Sequence, residues 1–203
     1  MAQYYDIEPQ ILRRVYFNAL NVNYFDLKKR CLVLNSKLTK KNKWTVHTEQ
    51  RALEIELINE PKCFYGDTQN DHIITLPTGY WQQEISTTHL NGLVYCDQIY
   101  HEQYLWKQVQ IMIENGKVTD VATIETQKNI NLLQTLLYAE KESITLSIGL
   151  NHSVKERCLY GPYDMVRYKN LSLSFYTEKG LVVALSEKAS MSYEYDQNIL
   201  DEV

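Results

Sequence analysis

A chain of 203 residues can bury one good core or two small ones, and 44% hydrophobic against 23% charged residues is an ordinary balance for a folded globular body. The formal net charge of -4 excludes a general nucleic-acid module, whose affinity comes from positive charge set along phosphates. The apolar runs are too short to cross a bilayer, and the opening MAQYYDIEPQ lacks the basic start and apolar centre of a secretion signal, so a cytoplasmic location with no membrane partner is expected.

In chain order, residues 7–20 (IEPQILRRVYFNAL) set Ile11, Leu12, Val15, Tyr16 and Leu20 at spacings of three and four behind Pro9, which is one stripe of a short helix. A further helix candidate is interrupted at residues 21–26. Residues 31–34 and 44–47 read as short apolar runs on either side of the basic stretch 37–43 (KLTKKNK), which is expected as a solvated loop. Residues 52–58 (ALEIELI) alternate cleanly, Leu53, Ile55 and Leu57 against Glu54 and Glu56, the mark of an antiparallel strand with one wet face. Residues 64–71 form a turn cluster, 72–76 enter as a strand, and Pro77 and Gly79 break it.

Asn91-Gly92 opens a strand over 93–99 that should pair beside a central hairpin. That hairpin spans residues 105–126, where Val109, Ile111 and Ile113, then Val118, Val121 and Ile124, flank Asn115-Gly116, a pair that supplies the positive φ angles of a two-residue turn. Residues 128–139 (KNINLLQTLLYA) carry a leucine stripe and read as a helix, 144–150 as a strand, 160–163 as a Gly-Pro turn. A last hairpin joins 171–176 to 181–185 around Glu178-Lys179-Gly180, and a loosely held acidic tail is expected from residue 186.

Cys31, Cys63, Cys96 and Cys158 lie far apart without a Cys-x-x-Cys pair, which fits reduced, mostly buried thiols better than a zinc site or a disulfide framework. Sixteen tyrosines against seven glycines is an unusual excess; tyrosine brings a large rigid face and one polar handle and can line a recognition groove, and biased base composition produces the same excess. His47, His72, His89, His101 and His152 fall on different elements, and no spacing sets two on one helical face.

Four pieces in fixed order carry a family resemblance: Leu76-Pro77-Thr78-Gly79, Asn91-Gly92 leading into the Glu114-Asn115-Gly116-Lys117-Val118 hairpin, Ile148-Gly149-Leu150-Asn151, and Tyr163-Asp164 followed by the strand at 171–175. Over residues 43–176 the chain resembles the metal-binding domain of the thermophilic metalloaminopeptidases, the aminopeptidase T-like family. That family carries Leu-Pro-x-Gly-Glu, a similar hairpin, Ile-Gly-x-Asn-Pro and Asp-Glu-Lys-x-x-Gly-Thr-Val-His in the same order. The resemblance implies a scaffold stripped of its reaction, because the ligand positions are filled here by Tyr80, Met165 and Ser172, and the final histidine is His152. A two-metal hydrolase needs carboxylate and imidazole donors to hold its ions and acidify the attacking water, so no metal and no cofactor are expected.

The resemblance further implies that a cleft built for an extended peptide survives as a binding surface, as in accessory proteins that hold precursor peptides for tailoring enzymes in modified-peptide biosynthesis. The candidate peptide-binding residues are Tyr80, Trp81 and Gln82, with Gln83 beside them, and Tyr160, Tyr163 and Arg167 around the second lost ligand. The plain alternatives are a core plug for Trp81 and a surface ion pair for Arg167. Rival readings are an active metallopeptidase using His89, His101 and Glu102, and a structural subunit of a protein complex.

The expected architecture is α+β: a curved, mainly antiparallel sheet with one N-terminal helix and one central helix, since most connections are hairpin-length. Residues 1–42 form a helical lead-in, 43–185 the sheet domain and 186–203 the tail of a single domain. A peptide or precursor peptide is the expected partner, with tailoring enzymes behind it and a homodimer formed through sheet edges and tyrosines.

Overall fold

The computed structural model of the protein describes residues 9–49, 51–66, 78–101, 104–123, 129–154, 169–176, 181–185, 189–193 and 198–202. The expected 72–76 strand and 160–163 turn lie outside them, as do Tyr160, Tyr163 and Arg167. The α+β class holds: three helices accompany a curled antiparallel sheet.

Two helices, rather than one, lead into the sheet: α1 (Pro9–Leu20) and α2 (Tyr24–Leu38). The residues that looked like an interruption hold the second helix's start. Asn23 is its N-cap, its side chain accepting from the amides of Phe25 at 3.0 Å and Asp26 at 3.4 Å, so two otherwise orphaned donors are satisfied. The apolar run at 31–34 is therefore helical, and Leu27, Cys31, Leu34 and Leu38 form the buried stripe at spacings of three and four.

The sheet comprises β1 (Lys43–Thr48), β2 (Arg51–Phe64), β3 (Tyr80–Ile85), β4 (Asn91–His101), β5 (Tyr104–Glu114), β6 (Lys117–Thr123), then, after α3 (Ile130–Tyr138), β7 (Ser143–Gly149), β8 (Leu171–Tyr176), β9 (Leu181–Leu185) and β10 (Ser190–Ser192). Their spatial order is β10-β1-β2-β3-β7-β8-β9-β4-β5-β6, and every pairing is antiparallel. β4 also pairs with β2 through Leu53 with Gly92 and Glu54 with Asn91. The sheet thus curls until β2, β3, β7, β8, β9 and β4 close into a ring of hydrogen-bonded neighbours. Gly92 sits at the closure with φ +133°, and a Cβ there would stand 2.3 Å from the carbonyl oxygen of Ala52; only a residue without a side chain lets the two backbones meet.

The central hairpin forms as expected, with β4 at its side, and Asn115 and Gly116 both take positive φ, 49° and 72°. β2 runs past the expected end at Ile58 to Phe64. It survives Pro61 because its register with β3 shifts between Ile58 and Lys62, where Asn59 turns to φ 59°. Gln83, which is buried, secures this irregularity by donating its side-chain amide to the carbonyls of Asn59 at 2.8 Å and Ile58 at 3.3 Å.

The stretch from residue 186 was expected to be loosely held, and its described parts are docked instead. β10 pairs with β1, and Met191, Ile199 and Leu200 are buried in the core. A few apolar side chains inside an otherwise polar run are enough to anchor such a segment when a strand edge is open beside it.

Candidate functional site

β3, β7 and β8 lie side by side, and their register sorts the side chains onto two faces. One face carries Trp81, Ile85, Ile144, Leu146, Ile148, Leu171, Leu173 and Phe175, all buried, and belongs to the main core. The other is polar. Gln82, Ser147 and Ser172 form one row across the three strands, Glu84, Thr145 and Ser174 the next, and Tyr80 stands opposite Gly149 at the end of the pairing.

The outer part of this polar face is organised by short contacts. Gln82 donates from Nε2 to Thr145 Oγ1 at 2.9 Å and to the Tyr176 hydroxyl at 3.3 Å. Tyr80 stacks on Phe64 of β2 with ring centroids 4.3 Å apart and planes 14° from parallel. Both rings are half-buried, and Lys62, which pairs with Gln82, is exposed. The inner part is different: Ser147 and Ser172 are fully buried, and neither Oγ has a hydrogen-bond partner. A buried hydroxyl left unpaired costs on the order of 1–3 kcal/mol, so two facing ones are a feature the fold tolerates rather than uses for stability.

Two of the motif pieces meet physically at one end of this face. The amide of Leu150 donates to the carbonyl of Gly79 at 2.7 Å, and buried Asn151 donates from Nδ2 to the carbonyls of Thr78 at 3.0 Å and Ala19 at 2.9 Å. The Thr78-Gly79 and Ile-Gly-Leu-Asn segments are thus joined, and α1 is tied to the same corner. Tyr80 and Ser172, the two described residues that the motif order matches to the family's ligands, share the polar face at a Cα separation of roughly 12 Å on ordinary sheet spacings. The donors present do not fit a pair of catalytic ions: a tyrosine stacked on a phenylalanine and a buried neutral hydroxyl offer neither a bridging carboxylate nor an imidazole. Among the described residues no three of His, Cys, Asp and Glu gather to hold a metal.

Of the expected binding residues, Tyr80 and Gln82 reach the polar face, while Trp81 is fully buried on the opposite side with its Nε1 unpaired. Trp81 is the core plug of the alternative reading. Sequence reasoning missed Ser147, whose position opposite Ser172 appears once the β7–β8 register is known. The rival ligand set does not converge: His89 lies just before β4 and buried His101 at its end, roughly 30 Å apart for a strand of that length, and Glu102 is outside the described residues.

A separate hollow of about 330 Å³ opens between β1, β2, the short 3-10 turn Thr87–His89 and Tyr193, with Trp44, Glu54, Glu56, His89 and Asn91 in its wall. His89 Nδ1 meets Glu56 Oε2 at 3.0 Å, Thr88 Oγ1 at 3.0 Å and Ser86 Oγ at 3.3 Å. All three contacts fall on one ring nitrogen. A relay from hydroxyl through imidazole to carboxylate needs both, so this cluster braces the turn and does not form a nucleophilic triad.

By its fold the chain is an α+β protein with a curled antiparallel sheet bearing one polar, part-aromatic face. It is similar to the structure of wild-type AmpT from Thermus thermophilus, with a TM-score of 0.58 at 11% sequence identity over 81% of this chain and 48% of that one. The likeness shows a shared fold, and the match spans about half the length of that chain. No family model and no curated protein matches the sequence. No helix among the described residues is long and apolar enough to cross a membrane.

Proposed function

We propose that this chain is a non-catalytic, cytoplasmic peptide-binding accessory protein on a degenerate metalloaminopeptidase scaffold, presenting a precursor peptide to tailoring enzymes in modified-peptide biosynthesis. One observation supports the reading: Tyr80 and Ser172, which the motif resemblance matches to ligand positions, share a single polar face with Gln82, Ser147 and the Phe64–Tyr80 stack. The part of that face still open to solvent, the Gln82 amide with Thr145 and Tyr176 and the Tyr80–Phe64 aromatic platform, can bind amide backbone and side chains and leaves a peptide bond uncut, while the buried serines lie beneath it. The distant fold likeness to a thermophilic aminopeptidase agrees with a peptide-sized surface there. Tyr160, Tyr163 and Arg167 would complete the binding residues on this reading, and a homodimer remains part of it.

The test is isothermal titration against peptides encoded beside the gene. Micromolar or tighter binding is expected, weakened about tenfold in Tyr80→Ala and in Gln82→Ala, a loss of about 1.4 kcal/mol each. Tightly bound zinc or manganese near one per chain in the purified protein would overturn the reading. A second reading, a structural subunit of a complex, draws on the lead-in helices, where Phe17, Leu32 and Phe25 are 54%, 53% and 74% exposed. Silence toward every peptide, together with co-purification of a folded partner that Phe25→Ser abolishes, selects that one.

A further inference from the structure

Two cysteines that are 32 positions apart in the sequence are brought together where α2 packs on the core-facing side of β2 and β3. Cys31 projects from the buried stripe of α2, and Cys63 lies on β2 opposite Trp81, on the core-facing side of the β2–β3 pairing. Cys31 Sγ lies 3.9 Å from the carbonyl oxygen of Tyr80, whose partner across the β2–β3 register is Phe64, the residue next to Cys63, so the two thiols are set side by side. Cys31 is fully buried and Cys63 partly exposed, so a small solute reaches Cys63 first.

We propose that Cys31 and Cys63 form a peroxide-reactive thiol pair that closes into a disulfide, fastening α2 to the β2–β3 rim that carries Tyr80. The reactant is a hydroperoxide, and the inference stands apart from the peptide-binding reading. Cys63 is the attacking sulfur: the hydrogen bond from Cys31 favours its thiolate and holds its pKa below the ordinary thiol value, whereas Cys31 is pushed up by that same pairing and by burial. The Cys63 thiolate attacks one peroxide oxygen, the O–O bond breaks, and a sulfenic acid forms as the other oxygen leaves and is protonated to water or an alcohol. The Cys31 sulfur then attacks the sulfenic sulfur, its proton goes to the departing hydroxyl, and the S–S bond forms with release of water. Two thiols and one peroxide give one disulfide, one water, and a second water or the alcohol, with both electrons supplied by the sulfurs.

Cys96 is an internal control. It is fully buried, and burial, aided by the charge of Asp97, pushes its thiol far up and leaves it unreactive. Cys158 lies outside the described residues and is removed from the test by Cys158→Ser.

The full-length Cys158→Ser protein is treated with hydrogen peroxide in modest excess, then unfolded for thiol titration and digested for peptide mapping. Two of the three remaining thiols should disappear, with a single cross-linked peptide pair containing Cys31 and Cys63 that a reductant separates. Closing a loop of this length should also raise Tm by roughly 5–10 °C. In Cys31→Ser, which lacks the resolving thiol, dimedone should trap a sulfenic acid at Cys63, and Cys63→Ser should show no fast peroxide consumption. Oxidation of Cys63 to sulfinic or sulfonic acid without a link, a link through Cys96, retention of both thiols, or a cross-link that lowers Tm would each overturn the proposal.

Discussion

The two faces of β3, β7 and β8 share one backbone and answer to different demands. On one, Trp81, Leu146, Ile148, Leu171, Leu173 and Phe175 are packed to near-zero exposure. On the other, the same strands place Ser147 against Ser172, and Thr145 against Ser174, at positions where valine or isoleucine would form a stronger sheet. Two of those hydroxyls are sealed from solvent without a partner. The apolar face explains why the chain folds; the polar face lowers stability, and so it is where a role beyond folding belongs.

The sharpest way to break that contrast is to open the apolar side. Trp81→Ala removes one of the two largest fully buried side chains and should cost about 3–5 kcal/mol in denaturant unfolding. Trp81→Phe should cost far less, under about 1.5 kcal/mol, because it keeps most of the volume and removes an indole donor that has no acceptor. Equal losses in the two variants would mean that the indole N–H is paired after all. Next in size is Gly92→Ala, where β4 closes on β2. Positive φ and a Cβ at 2.3 Å from backbone oxygen should cost about 2–3 kcal/mol, read as a fall in the denaturant midpoint, with no direct contact to either face of β7 and β8.

Local chemistry was legible in the sequence and long-range pairing was not. The Asn115-Gly116 hairpin, the Leu53, Ile55 and Leu57 face and the leucine stripe of α3 follow from neighbours a few positions apart, and all three stand where they were expected. α2 was obscured because its capping Asn23 sits in a polar run that also reads as a break, and because residues 31–34 are too short an apolar run to separate helix from strand. The extension of β2 depends on a bulge that excuses Pro61, and the tail's anchorage on an open β1 edge; both are decided by partners distant in sequence. The candidate site was half visible. Tyr80 and Gln82 came from the motif position, Trp81 alternated to the other face, and Ser147 carried no signal until β8 lay beside it.

From the polar side, Ser147→Ala and Ser172→Ala test the contrast with the opposite sign. Each removes an unpartnered buried hydroxyl without opening a large cavity, so stability should hold or rise by about 0.5–1 kcal/mol in the same denaturant assay. A loss above about 1 kcal/mol in either would show that the hydroxyl is hydrogen-bonded and that the polar face helps the fold as the apolar one does.

The smallest effect concerns Lys141, a charge at the rim of the apolar face beside Phe175. Its Nζ lies 5.9 Å from the Phe175 ring centroid and donates to the α3 carbonyls of Leu137 at 2.6 Å and Leu136 at 3.4 Å, and to that of Ala139. These acceptors favour the ammonium, but burial outweighs them and pushes its pKa down to about 8 from 10.5. The sign follows from proton counts. Below about pH 8 both the folded and the unfolded chain hold the proton and the full desolvation cost is present. Between about 8 and 10.5 the unfolded chain binds more protons, so stability rises with pH, and above that range it gains nothing further. Because the side chain is only half-buried, the gain should be modest, roughly 1–2 °C in Tm across that window, read as the difference between wild type and Lys141→Met. A wild-type curve that falls relative to Lys141→Met over the same pH range would mean that the carbonyls win, and that the rim of the apolar face is wet enough to carry a full charge.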